Sequence, residues 1–131
     1  MEKIHIQGAE DTPNVVLDQE KNLFEISGRS LPEDVVTFYK PVMQWLDELE
    51  NNPIDGMKFD VRLDYFNTAS SKILLDIFLK LDEIHGAGVD IRVRWYYSEL
   101  DEDLAEAGEE YSELVEIPFD VIAVQQDSVT V

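Results

Sequence analysis

A chain of 131 residues with 44% hydrophobic side chains is long enough to form one domain around a buried core. It contains no cysteine, which excludes disulfides and thiolate metal sites and favours a cytoplasmic location. The 29 acidic and 10 basic residues give a net charge of −19, which argues against binding to nucleic acid or to an anionic membrane surface. Solubility, or attraction of a protein partner with a basic face, explains such a charge equally well.

The first 28 residues predict short strands. Ile4 with Ile6, Val15–Leu17 and Leu23–Gly28 are short segments rich in β-formers, separated by turn-forming residues. Residues 14–28 fit a hairpin. No apolar run in the chain approaches the roughly 18 to 20 residues of a membrane span, and the N-terminus lacks a signal-peptide pattern.

The next segment predicts the first helix. Ser30 and Glu33 fit a capping box, and Pro32 suits a first helical turn. Pro41 lies inside the helix and predicts a kink, and Asn51–Pro53 predicts the end. One apolar stripe recurs at spacings of three and four, formed by Val35, Phe38, Tyr39, Val42, Trp45, Leu46 and Leu49.

A strand, a helix and a second strand follow. Met57–Leu63 alternates apolar and polar residues, as a half-buried strand does. Apolar residues repeat at helical spacing over Ile73–Ile84, and Gly86 is a suitable C-cap. Val89–Tyr97 alternates again and predicts another half-buried strand.

The segment after residue 97 is very acidic. Glu99–Glu116 holds nine carboxylates and no basic residue. A thin apolar stripe at spacings of three and four still predicts a helix, with Ser98 as its N-cap and Gly108 weakening its middle.

Alternation of strands and helices indicates an α/β fold. Val115–Val124 predicts a closing strand interrupted by Pro118, which confines that strand to an edge, and residues 125–131 predict a loose tail. Strands that alternate with helices pair in parallel within one sheet. The two best strands alternate in polarity, so we expect a single domain with a mixed sheet and helices mainly on one face.

The other face of that sheet should meet solvent and carry four of the ten basic residues. One interpretation is that these cations form cross-strand ion pairs with Asp60, Asp64 and Asp90. The other is a docking surface for a partner, formed by Lys58, Arg62, Arg92 and Arg94.

Enzymatic chemistry finds little support in the sequence. His5 and His85 lie far apart in the chain, and neither has an adjacent nucleophile and orienting group. Asp101–Asp103 lacks the alternating ligands of a calcium loop, and Gly86–Gly88 precedes a strand rather than a helix. We therefore expect no catalytic residue, no metal and no cofactor.

The segment 64–72 links a strand to a helix and carries three hydroxyls where that helix begins. Asn67 or Thr68 would be the N-cap, with Ser70 and Ser71 in the first turn. A helix start offers free N–H groups, which favour capping hydroxyls and also favour phosphate. Ordinary capping and a phosphoacceptor site are both consistent with this pattern.

Three segments resemble the SiaC family of bacterial regulatory phosphoproteins: Gly28–Glu33, Phe38–Pro41 with Trp45 and Leu46, and Asp64–Lys72. The resemblance implies a small α/β protein similar to STAS-domain anti-sigma-factor antagonists. It implies phosphorylation on Thr68 by a cognate protein kinase and dephosphorylation by a PP2C-type phosphatase. The surroundings of the phosphosite, which would bind partners, are Asp64, Asn67, Ser70, Ser71 and Lys72.

The resemblance also implies a function. The unmodified form would bind and activate a diguanylate cyclase, which links the switch to cyclic-di-GMP signalling and biofilm formation. Ala69 stands where some relatives have a serine, and the acceptor itself is retained. Two alternatives are an anti-sigma-factor antagonist of the STAS class, which would control a sigma factor, and a small hydrolytic enzyme using the acidic helix or His85.

Overall fold

Six strands form one mixed sheet whose spatial order is also their order in the chain. The computed structural model describes residues 2–125, so most of the predicted tail lies outside the described residues. The elements are β1 (Ile4–Ile6), β2 (Asn14–Asp18), β3 (Leu23–Ser30), α1 (Val35–Asn51), β4 (Met57–Phe66), α2 (Thr68–Gly86), β5 (Ile91–Ser98), α3 (Glu102–Leu114) and β6 (Phe119–Val124).

The mode of strand pairing changes once across the sheet, from antiparallel to parallel. β1, β2 and β3 pair antiparallel, with the predicted hairpin between β2 and β3. β3, β4, β5 and β6 pair in parallel, and each crossover carries one helix. The α/β prediction is therefore confirmed, and β6 forms an edge as Pro118 indicated.

The helices cover one face of the sheet. In β4 the residues Met57, Phe59 and Val61 are buried, while Lys58 and Arg62 on the opposite face are exposed. The burial in β5 alternates in the same way. This confirms the prediction of one covered and one open face. The helices contribute to the core the side chains of Tyr39, Val42, Trp45, Leu46, Leu49, Leu74, Ile77, Phe78, Leu81, Ile84, Leu104 and Tyr111.

Two helix caps differ from those predicted. The carboxylate of Asp34, not Ser30, caps α1 by accepting from the Thr37 amide at 3.1 Å. Ser30 ends β3, and Pro32 precedes the helix, because the strand continues further than the capping box allowed. Asp101, not Ser98, caps α3 for the same reason, since Ser98 ends β5.

The helix and strand ends near the C-terminus also differ. Gly86 is the last residue of α2 and Ala87 is its cap. β6 begins only after Pro118, because the Asp82 carboxylate accepts from the amides of Glu116 at 3.1 Å and Ile117 at 2.7 Å. Those two residues are therefore tied to α2 instead of the sheet. None of the helices within residues 2–125 combines the length and hydropathy of a membrane span.

Candidate phosphoacceptor site

In the turn from β4 into α2, a hydrogen-bonded cap formed by Asn67 fixes where the helix begins. Asn67 has extended backbone angles, and its side-chain oxygen accepts from the Ser70 amide at 2.8 Å. Its backbone oxygen accepts from the Ser71 amide at 2.9 Å. Of the two N-cap residues that the sequence allowed, the structure selects Asn67, so Thr68 is the first helical residue.

Ser70 belongs to a buried chain of hydroxyls. Its side chain is 0% exposed, and its Oγ donates to the backbone oxygen of Ser30 at 2.9 Å. The same Oγ lies 2.8 Å from the Ser30 Oγ, which in turn lies 2.6 Å from the Tyr39 hydroxyl. Burial raises the pKa of Tyr39, so this chain stays neutral. Ser70 is thus inaccessible to an enzyme.

Ser71 is half-buried, and its hydroxyl is already used. The Oγ donates to the backbone oxygen of Thr68 at 2.6 Å. The backbone oxygen of Ser71 accepts from the Tyr111 hydroxyl at 2.8 Å, which ties α3 to the start of α2. Burial raises the pKa of Tyr111 to about 12, so it remains a donor at neutral pH.

Thr68 is the exposed hydroxyl residue of this turn. Among the hydrogen bonds of residues 2–125, the Asn67 cap takes up the amides of Ser70 and Ser71, whereas those of Thr68 and Ala69 have no protein acceptor. Free amides at a helix start, with the positive end of the helix dipole, stabilise an added phosphoryl group. The site can therefore accept phosphate without losing its cap.

Asp64 and Lys72, predicted to surround this site, are both exposed. The register of β4 against β3 skips at Asp64, since Leu63 pairs with Gly28 and Tyr65 pairs with Arg29. Asp64, the residue skipped in this bulge, lines an open groove of about 880 Å³. The acidic start of α3 lines the same groove. The structure therefore brings Asn67, Ser70 and Ser71 together and places Asp64 in a neighbouring groove.

Three of the four predicted cations on the open face of the sheet form ion pairs. Arg94 pairs with Asp60 at 2.6 Å, as predicted. Arg92 pairs with Asp120 at 2.8 Å, although Asp120 was not among the expected partners. The neighbouring strand supplies this carboxylate, because the register places Asp120 beside Arg94 on the open face.

The remaining arginine is held by a carboxylate and a ring. Arg62 pairs with Glu25 at 2.9 Å, and its guanidinium lies 3.7 Å from the ring centre of Tyr96. The expected partners Asp64 and Asp90 form no such ion pair within residues 2–125. Cross-strand ion pairing is thus present, and a docking role for this face stays a prediction.

The two histidines lie in separate parts of the structure. His5 contacts Asp18 at 2.9 Å beside the first hairpin, whereas His85 Nδ1 lies 3.0 Å from the Val89 oxygen at the end of α2. The hydrogen bond with His5 is the largest of the causes that lower the pKa of Asp18. Within residues 2–125 no cluster of His, Asp or Glu side chains has the grouping of a metal site.

Ser30 and Tyr39 support the site, yet sequence reasoning assigned them to a cap and to the core. Their bonds join positions 9 and 40 residues apart, which no local spacing rule connects. The one local signal was Tyr39, a polar-tipped residue within an apolar stripe, because a buried tyrosine hydroxyl requires a partner.

Comparison with known proteins identifies the family. An uncharacterised protein of Pseudomonas aeruginosa strain UCBPP-PA14 is 32% identical over 94% of this chain and 98% of its own. The structure of SiaC of Pseudomonas aeruginosa matches with a TM-score of 0.85 at 31% identity, over 95% of this chain and 100% of that one.

A second solved structure, of the diguanylate cyclase SiaD in complex with its activator SiaC from the same species, matches with a TM-score of 0.87 at 31% identity. That match covers 92% of this chain and 99% of the other. The model of the SiaC family regulatory phosphoproteins matches residues 6–124, and the chain therefore belongs to the SiaC family.

Proposed function

We propose that this protein is a non-enzymatic, cytoplasmic partner-switching protein controlled by phosphorylation of Thr68. In its unmodified form it binds and activates a diguanylate cyclase, as the SiaC of the solved complex is described as activator of SiaD. A cognate protein kinase adds the phosphate and a PP2C-type phosphatase removes it. The switch thereby regulates cyclic-di-GMP signalling and biofilm formation.

The observation that carries this proposal is the contrast among the three hydroxyls of the turn. Thr68 is exposed at the first position of α2, Ser70 is 0% exposed, and the Ser71 hydroxyl is bonded back onto the helix. A kinase must extend its substrate hydroxyl into its own active site, which requires an accessible side chain. Membership of a family of regulatory phosphoproteins agrees with this assignment.

The physical basis of the switch is charge at a contact surface. A phosphothreonine carries roughly −1.5 to −2 charges at neutral pH. The Asn67 cap and the bonds of Ser70 do not involve the Thr68 side chain, so α2 keeps its start when Thr68 is modified. A partner fitted to a neutral hydroxyl then meets a hydrated dianion and dissociates.

The first prediction concerns the acceptor. Thr68→Ala should abolish phosphorylation by the cognate kinase, because the remaining hydroxyls are buried or internally bonded. Ser71→Ala is the matched control and should be phosphorylated as the native chain is. Peptide mass spectrometry reads the site directly, and phosphate found only on Ser70 or Ser71 would show that the assignment is wrong.

The second prediction concerns the effector. Thr68→Asp, and the native protein phosphorylated at Thr68, should bind the cognate cyclase at least about tenfold more weakly than the unmodified protein. Like-charge repulsion and the cost of desolvating the added charge both oppose docking. The thermal midpoint should stay the same or rise slightly, because a negative charge at a helix start is stabilising. Titration calorimetry and the rate of cyclic-di-GMP formation measure the effect. Capture of an anti-sigma-factor kinase in place of a cyclase would support the anti-sigma-factor antagonist instead.

A further inference from the structure

The outer edge of β6 has no strand beside it within residues 2–125. The backbone oxygens of Pro118 and Val124 accept from amides of β5 and of the residue after it, so the even-numbered residues of β6 face β5. Backbone groups alternate in direction along a strand, and those of Phe119, Val121 and Ala123 therefore point outward. Each of these residues offers one N–H donor and one C=O acceptor to another strand.

This edge lacks the features that usually protect an exposed strand. Proteins protect edges with lysines, prolines, bulges or very short strands. β1, at the other edge, has three residues and follows Glu2 and Lys3. β6 has six residues, and residues 117–125 carry one charged side chain, Asp120, which is already paired with Arg92 at 2.8 Å. Pro118 does not block the edge, because its backbone faces β5. A second copy of this acidic chain can therefore approach β6 with little local repulsion.

The flank of α3 beside this edge is also uncharged. Leu104 and Tyr111 point toward the sheet, and the Tyr111 hydroxyl bonds to α2. In a right-handed crossover, the residues that follow these two by one position lie on the flank away from α2, above β6. They are Ala105 and Ser112, both half-buried, although residues 99–116 contain nine carboxylates. The neutral surface thus continues from the strand to the helix.

A second copy can pair with this edge symmetrically when the two strands are antiparallel. A twofold axis at Val121 places Val121 opposite itself and Phe119 opposite Ala123 of the second copy, so a large side chain faces a small one. The three outward-facing residues each exchange two hydrogen bonds with their partners, roughly six in all. Like charges are not juxtaposed, because Asp120 lies opposite Ile122 of the second copy.

The same pairing brings the two α3 helices to a normal packing distance. Each α3 contacts both β5 and β6 of its own copy, so it lies over the gap between them. At a strand spacing of about 4.8 Å the two helix axes are two spacings apart, which is roughly the 8 to 10 Å of packed helices. Ala105 and Ser112 are then the side chains that meet, and their small size permits this approach.

We propose that β6 is a self-association edge, at which two copies of this chain pair antiparallel, in register about Val121, and join their sheets into one. β5 separates β6 from β4, so the turn that carries Thr68 stays accessible in both copies. This inference goes beyond the proposed function and does not depend on it. It names a second copy of the chain as the partner of the edge.

Register-specific cross-linking tests the inference, because the chain has no native cysteine. In a hydrogen-bonded antiparallel pair the Cα atoms lie about 5.5 Å apart, a distance that a disulfide spans. Val121→Cys in the full chain should therefore be oxidised to a covalent dimer at least about tenfold faster than Ala123→Cys, whose two copies lie roughly 14 Å apart in this register. Ala123 is the more exposed residue, so random collision would give the opposite order.

Sedimentation equilibrium measures the association without a cross-link. The mass of the native chain should rise from 15.1 kDa toward twice that value as concentration increases. Added salt should strengthen the association, because it screens repulsion between two copies of charge −19. Ala123→Lys should raise the dissociation constant at least about tenfold, since it places a lysine opposite Phe119 of the second copy at two symmetric positions.

The matched control is Ala87→Lys, which changes the net charge equally at an exposed position after α2 and should associate as the native chain does. Both lysines reduce the net negative charge, so general repulsion cannot explain a loss confined to Ala123→Lys. Thermal unfolding of every variant verifies its fold.

Three results would overturn the inference. The first is a mass that stays at 15.1 kDa at every concentration. The second is cross-linking of Ala123→Cys as fast as that of Val121→Cys. The third is a dimer that persists in Ala123→Lys, because its interface would then lie on another surface.

Discussion

The three hydroxyls of the turn, on Thr68, Ser70 and Ser71, are alike in chemistry and differ in exposure and hydrogen bonding. The backbone oxygen and Oγ of Ser30 hold the Ser70 hydroxyl at 2.9 and 2.8 Å inside the protein. Thr68 stays exposed because the first residue of a helix precedes the residues that turn toward the sheet. A buried hydroxyl chain thereby does two things: it fixes the start of α2 and leaves one threonine accessible.

The third prediction tests that chain. Ser30→Ala should lower the free energy of unfolding by about 1 to 3 kcal/mol, because the Tyr39 hydroxyl is then buried without an acceptor. Adding Tyr39→Phe should restore much of the loss, since removing both partners leaves no unsatisfied group. Urea denaturation of the two single variants and the double variant measures the coupling. Strictly additive losses would contradict this account of the chain.

At the scale of elements, α3 is anchored to the sheet by a close contact that only a glycine permits. A Cβ on Gly108 would lie 2.5 Å from the Trp95 ring, which is itself 1% exposed. The Trp95 indole donates to the Leu104 oxygen one turn earlier in α3. The glycine that weakens the helix by propensity is therefore what lets the helix approach the sheet.

The fourth prediction follows from this contact. Gly108→Ala should destabilise the protein by about 1 to 3 kcal/mol, because overpacking against Trp95 exceeds the helix-propensity gain of about 1 kcal/mol. Gly86→Ala is the matched control, since a Cβ there meets no atom within 4 Å and should be neutral or stabilising. Thermal unfolding distinguishes the two. A more stable Gly108→Ala variant would show that the ring moves aside freely.

At the scale of the whole molecule, the charge is uneven. Nine carboxylates and no cation lie in residues 99–116, whereas the open sheet face holds paired arginines. Repulsion among like charges destabilises the compact state and weakens as salt screens it. The acidic helix is consequently the part of the fold most sensitive to ionic strength.

The fifth prediction is a salt dependence. The thermal midpoint should rise as sodium chloride increases from about 10 mM to 500 mM, because the Debye length shortens from about 30 Å to only a few ångströms. The rise should be smaller when the exposed residues Glu109, Glu110 and Glu113 are changed to glutamine. Differential scanning calorimetry gives both midpoints. A midpoint that falls with salt would mean that ion pairs outweigh the repulsion.

Local patterns predicted most of the fold, since the alternation in Met57–Leu63 and the helical spacing in Ile73–Ile84 each depend on near neighbours. The same patterns predicted the open face and the β6 edge. The Ser30 and Ser98 caps were wrong because β3 and β5 each continue through that serine, and the helices are capped later in the chain by Asp34 and Asp101. The hydroxyl chain could not be predicted, because its partners meet only after the sheet forms.

The sequential order of the strands has a consequence for synthesis. Every strand pairs with the one made just before it, from β1 at one edge to β6 at the other. At a strand spacing of about 4.8 Å, the two edge strands lie roughly 24 Å apart. Each strand that emerges from the ribosome therefore follows the strand with which it pairs, and α2 with Thr68 emerges before the acidic helix.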